Sequence, residues 1–85
     1  MGVPMKVRLL YFAVLRDITG KSETELTLAD GTRAADVWTT MRQQYPQLAG
    51  YEQPPLIAVN ESYARPDTLL RDGDDLAFIP PVAGG

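Results

Sequence analysis

The chain has 85 residues, enough for one hydrophobic core and too few for two. Apolar residues make up 45% and charged residues 22%, ordinary globular proportions that exclude a disordered or fibrous chain. A net charge of -3 without any cluster of Lys or Arg excludes a phosphate backbone or an anionic membrane surface as an electrostatic partner.

The first strand is predicted over residues 5–12. Met5, Val7 and Leu9 alternate with Lys6 and Arg8, and the chain then turns apolar on both sides at 10–12, as in a strand entering a covered, central position. Residues 13–18 contain no turn former and are expected to make one helical turn. Thr19-Gly20-Lys21 should close it, because Gly tolerates the left-handed conformation. Residues 23–28 alternate again, with Leu26 and Leu28 inward and Glu25 and Thr27 outward, so the first two strands should form a hairpin with a long connection.

Asp30-Gly31 predicts a turn, and Thr32 is expected to cap the next helix by accepting from a free backbone N–H. Ala34, Val37, Met41, Tyr45 and Leu48 recur at spacings of three and four with Trp38 beside them. Arg33, Asp36, Thr40 and Gln44 fall on the opposite, wet face. Pro46 should end this helix near Tyr45 and leave Leu48 just beyond it. After a Pro-rich link through residues 50–55, residues 56–59 predict a short buried strand that stops at Asn60-Glu61. Tyr63 opens an edge segment, Leu69-Leu70 is expected to anchor in the core, Asp72-Gly73-Asp74 to turn, and residues 76–79 to form the last strand.

The order strand, strand, helix, strand, short edge, strand implies an α+β domain with one main helix packed on one face of a mixed sheet. A β-grasp, ubiquitin-like arrangement fits that order best. The expected division is a β-grasp domain over residues 1–79 and an extended tail over 80–85.

With neither Cys nor His, the chain can form no thiolate nucleophile, no soft metal site and none of the usual nucleophile-base pairs. No metal and no bound cofactor are expected. The lack of Cys agrees with a reducing compartment, and the longest apolar stretch, residues 9–15, is too short to span a bilayer; a cytoplasmic location is expected. Asp72-Gly73-Asp74-Asp75 superficially resembles a calcium loop but is too short and lacks a distal bidentate Glu, so it reads as a turn before a strand. Glu23 and Glu25 share a strand face without a cleft and read as solvated surface.

The chemistry is expected in the last six residues. Pro80-Pro81 fixes φ at two successive positions, so the chain should leave the last strand extended and stiff. Val82, Ala83, Gly84 and Gly85 then shrink in side-chain size, and the whole segment could reach on the order of 20 Å from the fold. Gly-Gly has no Cβ, which would let a partner enzyme close a narrow channel around the backbone and bring a reactive group to the terminal carboxylate.

LYFAVLRDITG (10–20), AVNESYA (58–64) and LLRDGDDLAFIPPVAGG (69–85) resemble, in order and spacing, the small-subunit family of molybdopterin synthase, which are ubiquitin-like β-grasp sulfur carriers. The sulfur carriers of thiamine synthesis share the fold and the Gly-Gly end, but typically are shorter and lack the YFA-x-x-R-D segment and the Pro-Pro before the tail. The resemblance implies that an E1-like, ATP-dependent adenylating enzyme activates the Gly85 carboxylate, that sulfur replaces AMP, and that the thiocarboxylate enters the large subunit of a heterotetrameric synthase. There it would donate sulfur to a cyclic pyranopterin precursor, with Pro80, Pro81, Val82, Ala83 and Gly84 threading the tail. An ionised carboxylate with a reference pKa of about 3.5 is a poor electrophile until its oxygen belongs to a leaving group, which is the need that adenylation meets.

By position, the resemblance also implies that Phe12, Tyr63 and Ile79 belong to an exposed apolar sheet face that docks the activating enzyme and the large subunit. Core packing is the alternative for Phe12 and Ile79, whereas the Tyr63 hydroxyl favours an interface. Arg16 matches the family's FA-x-x-R pattern, either as a salt bridge that fixes the short helical turn or as a partner contact. Two rival roles remain open on the sequence: thiamine-pathway sulfur transfer or ubiquitin-like protein modification, and a non-covalent β-grasp interaction module.

Overall fold

The structure, a computed structural model, describes residues 4–12, 14–50 and 55–79. Among these residues five strands and two α-helices occur in the order β1 (Met5–Tyr11), α1 (Val14–Thr19), β2 (Glu23–Leu28), α2 (Ala34–Gln44), a 3-10 turn (Pro46–Gly50), β3 (Leu56–Val59), β4 (Ser62–Ala64) and β5 (Asp75–Ile79). The strands form one mixed sheet in the order β2-β1-β5-β3-β4. β1 runs antiparallel to β2 and parallel to β5, while β3 pairs antiparallel with both β5 and β4.

Strand alternation assigns the two sheet faces. Met5, Val7, Leu9 and Tyr11 are buried while Lys6 and Arg8 are exposed, and the paired positions of β5 and β3 continue the inner row with Leu76, Phe78 and Ile57. Against that face α2 lays Ala34, Val37, Trp38 and Met41, the positions its three-and-four spacing predicts. Trp38 meets Phe78 in a tilted contact, centroids 5.2 Å apart at 56°. Two short elements close the ends of this layer by fully burying one leucine each, Leu15 from α1 and Leu48 from the 3-10 turn. Each such side chain contributes about 1.5–3 kcal/mol by leaving water.

The hairpin formed by β1 and β2 is connected through α1, and Gly20 at φ 73 ends that helix as expected. Three local expectations are corrected. Thr32 does not cap α2; its hydroxyl donates to the Ala29 carbonyl at 2.6 Å, and Arg33 is the N-cap, its N–H donating to the Asp36 carboxylate at 2.9 Å. The free N–H groups of Ala34 and Ala35 donate instead to the carbonyls of Thr68 and Pro66, at 3.0 and 2.9 Å. A distant loop thus takes the place of the side-chain cap. That loop forms a bridge between Leu69 and Arg33, so alternation buries Leu70 and leaves Leu69 half exposed; only one leucine of the expected anchor reaches the core. Finally, β1 ends at Tyr11, with Leu10 partly open and Phe12 outside the strand and exposed, so one side of the strand end is uncovered.

Candidate functional site

The sheet face turned away from α2 carries no helix among the described residues. Register places Leu10 of β1, Ala77 of β5, Ala58 of β3 and Tyr63 of β4 in one row across four strands. The next row pairs Ile79 with Leu56, and Phe12 leaves β1 at the same end. The two alanines are small enough that the row sinks in the middle. A concavity of about 570 Å³ results, with Leu10, Phe12, Tyr63 and Ile79 around it. Phe12 is 47% exposed, Leu56 58% and Tyr63 78%, an unusual amount of apolar surface for neighbouring positions on one sheet.

A polar row borders this patch. Arg8 donates to both carboxylate oxygens of Asp75, Nε to Oδ1 at 2.9 Å and Nη2 to Oδ2 at 2.7 Å, and its Nη1 lies 3.5 Å from Glu23. The hydrogen bond from Arg8 holds the Asp75 carboxyl below the ordinary aspartate range and raises the guanidinium in turn. Behind Asp75, Asn60 ties the β3–β4 turn to the start of β5. Its N–H donates to the Asp75 carbonyl at 2.8 Å, its side-chain oxygen accepts from the Asp75 N–H at 2.9 Å, and its side-chain nitrogen donates to Asp74 at 2.9 Å. The acidic loop is therefore occupied by its own contacts. Asp72 accepts from the Lys6 N–H and Asp74 from the Arg71 N–H, both at 2.8 Å, which is the turn that the sequence predicts.

Phe12, Tyr63 and Ile79, separated by up to 67 positions in the chain, are brought to one surface. Phe12 and Tyr63 are exposed and Ile79 is half-buried, so the core alternative does not describe Phe12. Leu10, Leu56, Ala58 and Ala77 complete the patch, and sequence reasoning misses them. The available sign is parity: Leu10 shares a strand face with Arg8 and would be exposed unless something covered it. Pro80, Pro81, Val82, Ala83, Gly84 and Gly85 lie outside the described residues, as does Ala13 of the FA-x-x-R pattern. Arg16 stands exposed on α1, without an ion pair among the described residues.

A five-stranded mixed sheet with parallel central strands, wrapped over one main helix that its β1–β2 hairpin precedes in the chain, defines the ubiquitin-like β-grasp class. The chain belongs to the ThiS family, whose family model matches residues 9–85. It is 38% identical over 82 residues to the molybdopterin synthase sulfur carrier subunit of Mycobacterium tuberculosis, covering 95% of this chain and 99% of that protein. Against the protein of the same name from Chlamydomonas reinhardtii it is 35% identical over 83 residues, covering 95% and 100%. Among solved structures, a putative molybdopterin converting factor subunit 1 from Pyrococcus furiosus superposes with a TM-score of 0.79 at 30% identity, covering 92% of this chain and 99% of that one.

Proposed function

We propose that this chain is the sulfur carrier subunit of a molybdopterin synthase, with its reactive atom on the carboxyl group of Gly85. The observation that carries the reading is the end-to-end correspondence with proteins of that name: the relatives are matched over nearly their whole length, and the family model runs through Gly85. The globular domain over residues 1–79 is a handle, and residues 80–85 are the arm that a partner's channel admits. An E1-like enzyme adenylates the Gly85 carboxylate with ATP, sulfur displaces AMP at the acyl carbon, and the large subunit takes up the thiocarboxylate. The sulfur then passes to a pyranopterin precursor. No side chain of this subunit has to act as acid, base or nucleophile, because the thiocarboxylate itself supplies the nucleophilic sulfur without any Cys.

The apolar concavity around Leu10, Ala58, Ala77 and Tyr63 supports a docking role, because β5 leads from this patch directly into residue 80. A partner seated there meets the chain just before the arm. The test is to incubate the chain with its activating enzyme, ATP and a sulfur source, and to measure the mass of the C-terminal peptide. Exchange of one oxygen for sulfur is expected; an unchanged mass overturns the reading. Deleting Gly85 should leave unfolding unchanged and abolish transfer.

A further inference from the structure

We infer that the free edge of β2 is a second docking site, which takes an extended segment of a partner protein as an added strand, with apolar side chains toward α2 and Lys or Arg beside Glu23 and Glu25. Among the described residues β2 is paired on one side only. The Tyr11 N–H donates to the Ser22 carbonyl at 2.9 Å, and this fixes which residues of the adjoining strand face β1. Thr24, Leu26 and Leu28 exchange bonds with β1, so the N–H and C=O groups of Glu23, Glu25 and Thr27 point out of the sheet. These are the groups that an incoming strand pairs with.

Behind this edge, between β2 and α2, opens a cleft of about 420 Å³. Thr24, Leu26 and Leu28 line it from β2, and Val37, Met41 and Tyr45 from α2. Leu26, Leu28 and Tyr45 are only partly buried, so the core is incompletely covered here. A strand added to β2 would continue the pleat and set every second side chain over the cleft, where an aliphatic residue completes that cover. The remaining side chains would lie beside Glu23 and Glu25, both exposed. Glu25 has no ion-pair or hydrogen-bonding side-chain partner among the described residues, and Glu23 has only the 3.5 Å contact with Arg8. Opposite charges across strands attract and like charges repel, which selects Lys or Arg in the occupant. The same rule disfavours a second copy, whose β2 would bring acid against acid or Thr in an antiparallel pair. Acidic residues also guard an edge against self-pairing, but guarding does not require an apolar cleft behind the edge.

This surface lies across the sheet from β4 and is built on β2 and α2, so its test is independent of sulfur transfer. The intact, isotope-labelled chain is titrated with the acetylated, amidated peptide Arg-Val-Arg-Val-Arg-Val-Arg and followed by NMR and amide exchange. Saturable binding is expected, with the amides of Glu23, Glu25 and Thr27 shifted and slowed in exchange. A block isomer of the same composition should bind about tenfold more weakly, because it cannot match both faces. Glu25→Pro removes one outward donor while sparing the ladder to β1, and should weaken binding about tenfold. Should that variant misfold, the double substitution Glu23→Lys and Glu25→Lys keeps the backbone and should transfer the preference to Glu-Val-Glu-Val-Glu-Val-Glu. Equal binding of the block isomer, shifts confined to Leu10, Ala58 and Tyr63, or indifference to both sets of substitutions would overturn the inference.

Discussion

Arg8 and Asp75 face each other across the parallel pair of β1 and β5, and both nitrogen-oxygen contacts of their fork are within 2.9 Å. The pair sits on the outer sheet face, at the border between the apolar patch and the acidic turn. The hydrogen bond from Arg8 lowers the Asp75 pKa from its ordinary 3.8. A depressed carboxyl stabilises the fold fully above its unfolded pKa and loses that contribution as pH falls through the folded value. The difference in urea unfolding between the natural chain and Asp75→Asn should therefore be constant from neutral pH down to about pH 5, and shrink below about pH 4. A difference that persists unchanged in stronger acid would show that the fork does not stabilise the fold through its charge.

The β3–β4 turn places both central residues at positive φ, Asn60 at 52 and Glu61 at 69. That is the pattern of a two-residue I′ hairpin, where Gly is favoured at the second position. Glu61 lacks that freedom, and a left-handed L-residue costs roughly 1–2 kcal/mol, partly offset in Gly by its larger entropy loss on folding. Glu61→Gly should stabilise the chain by about 0.5 kcal/mol on chemical denaturation. Asn60→Ala removes two side-chain hydrogen bonds and should destabilise by about 1–3 kcal/mol.

Phe78 is fully buried at the centre of the core and touches Trp38. Phe78→Ala should cost about 3–5 kcal/mol, a large part of what a domain of this size possesses. Phe78→Leu keeps most of the volume and should cost about 1–2 kcal/mol. Trp38, the single Trp of the chain, reports both transitions by fluorescence.

On the outer face, Phe12→Asp and Tyr63→Asp alter side chains that already meet water, so stability should change by about 0.5 kcal/mol or less. On the proposed docking role of this patch, binding to a synthase large subunit should fall by at least about tenfold for each, the loss typical of an aromatic side chain that anchors an interface. Calorimetric titration of folded variants separates the two effects. Unaltered affinity in both would remove the apolar patch from the docking surface.

Much of this molecule was legible in the order of its residues. Alternation marked β1 and β2, a run of strand-forming residues marked the last strand, three-and-four spacing marked α2 with its buried Val37, Trp38 and Met41, and Pro46 ended that helix where proline must, at a residue without a backbone donor. Phe12, Tyr63 and Ile79 were recognisable as one surface only through resemblance to a family. Tertiary structure alone decided the rest: that Arg8 meets a carboxylate 67 positions away, that α2 is capped by carbonyls of Pro66 and Thr68 instead of Thr32, that Leu69 stays outside while Leu70 goes in, and that two alanines hollow the outer face. The reason is that periodicity records which side of an element is apolar, whereas strand order and register arise from long-range pairing, and no local pattern states which distant strand will lie alongside.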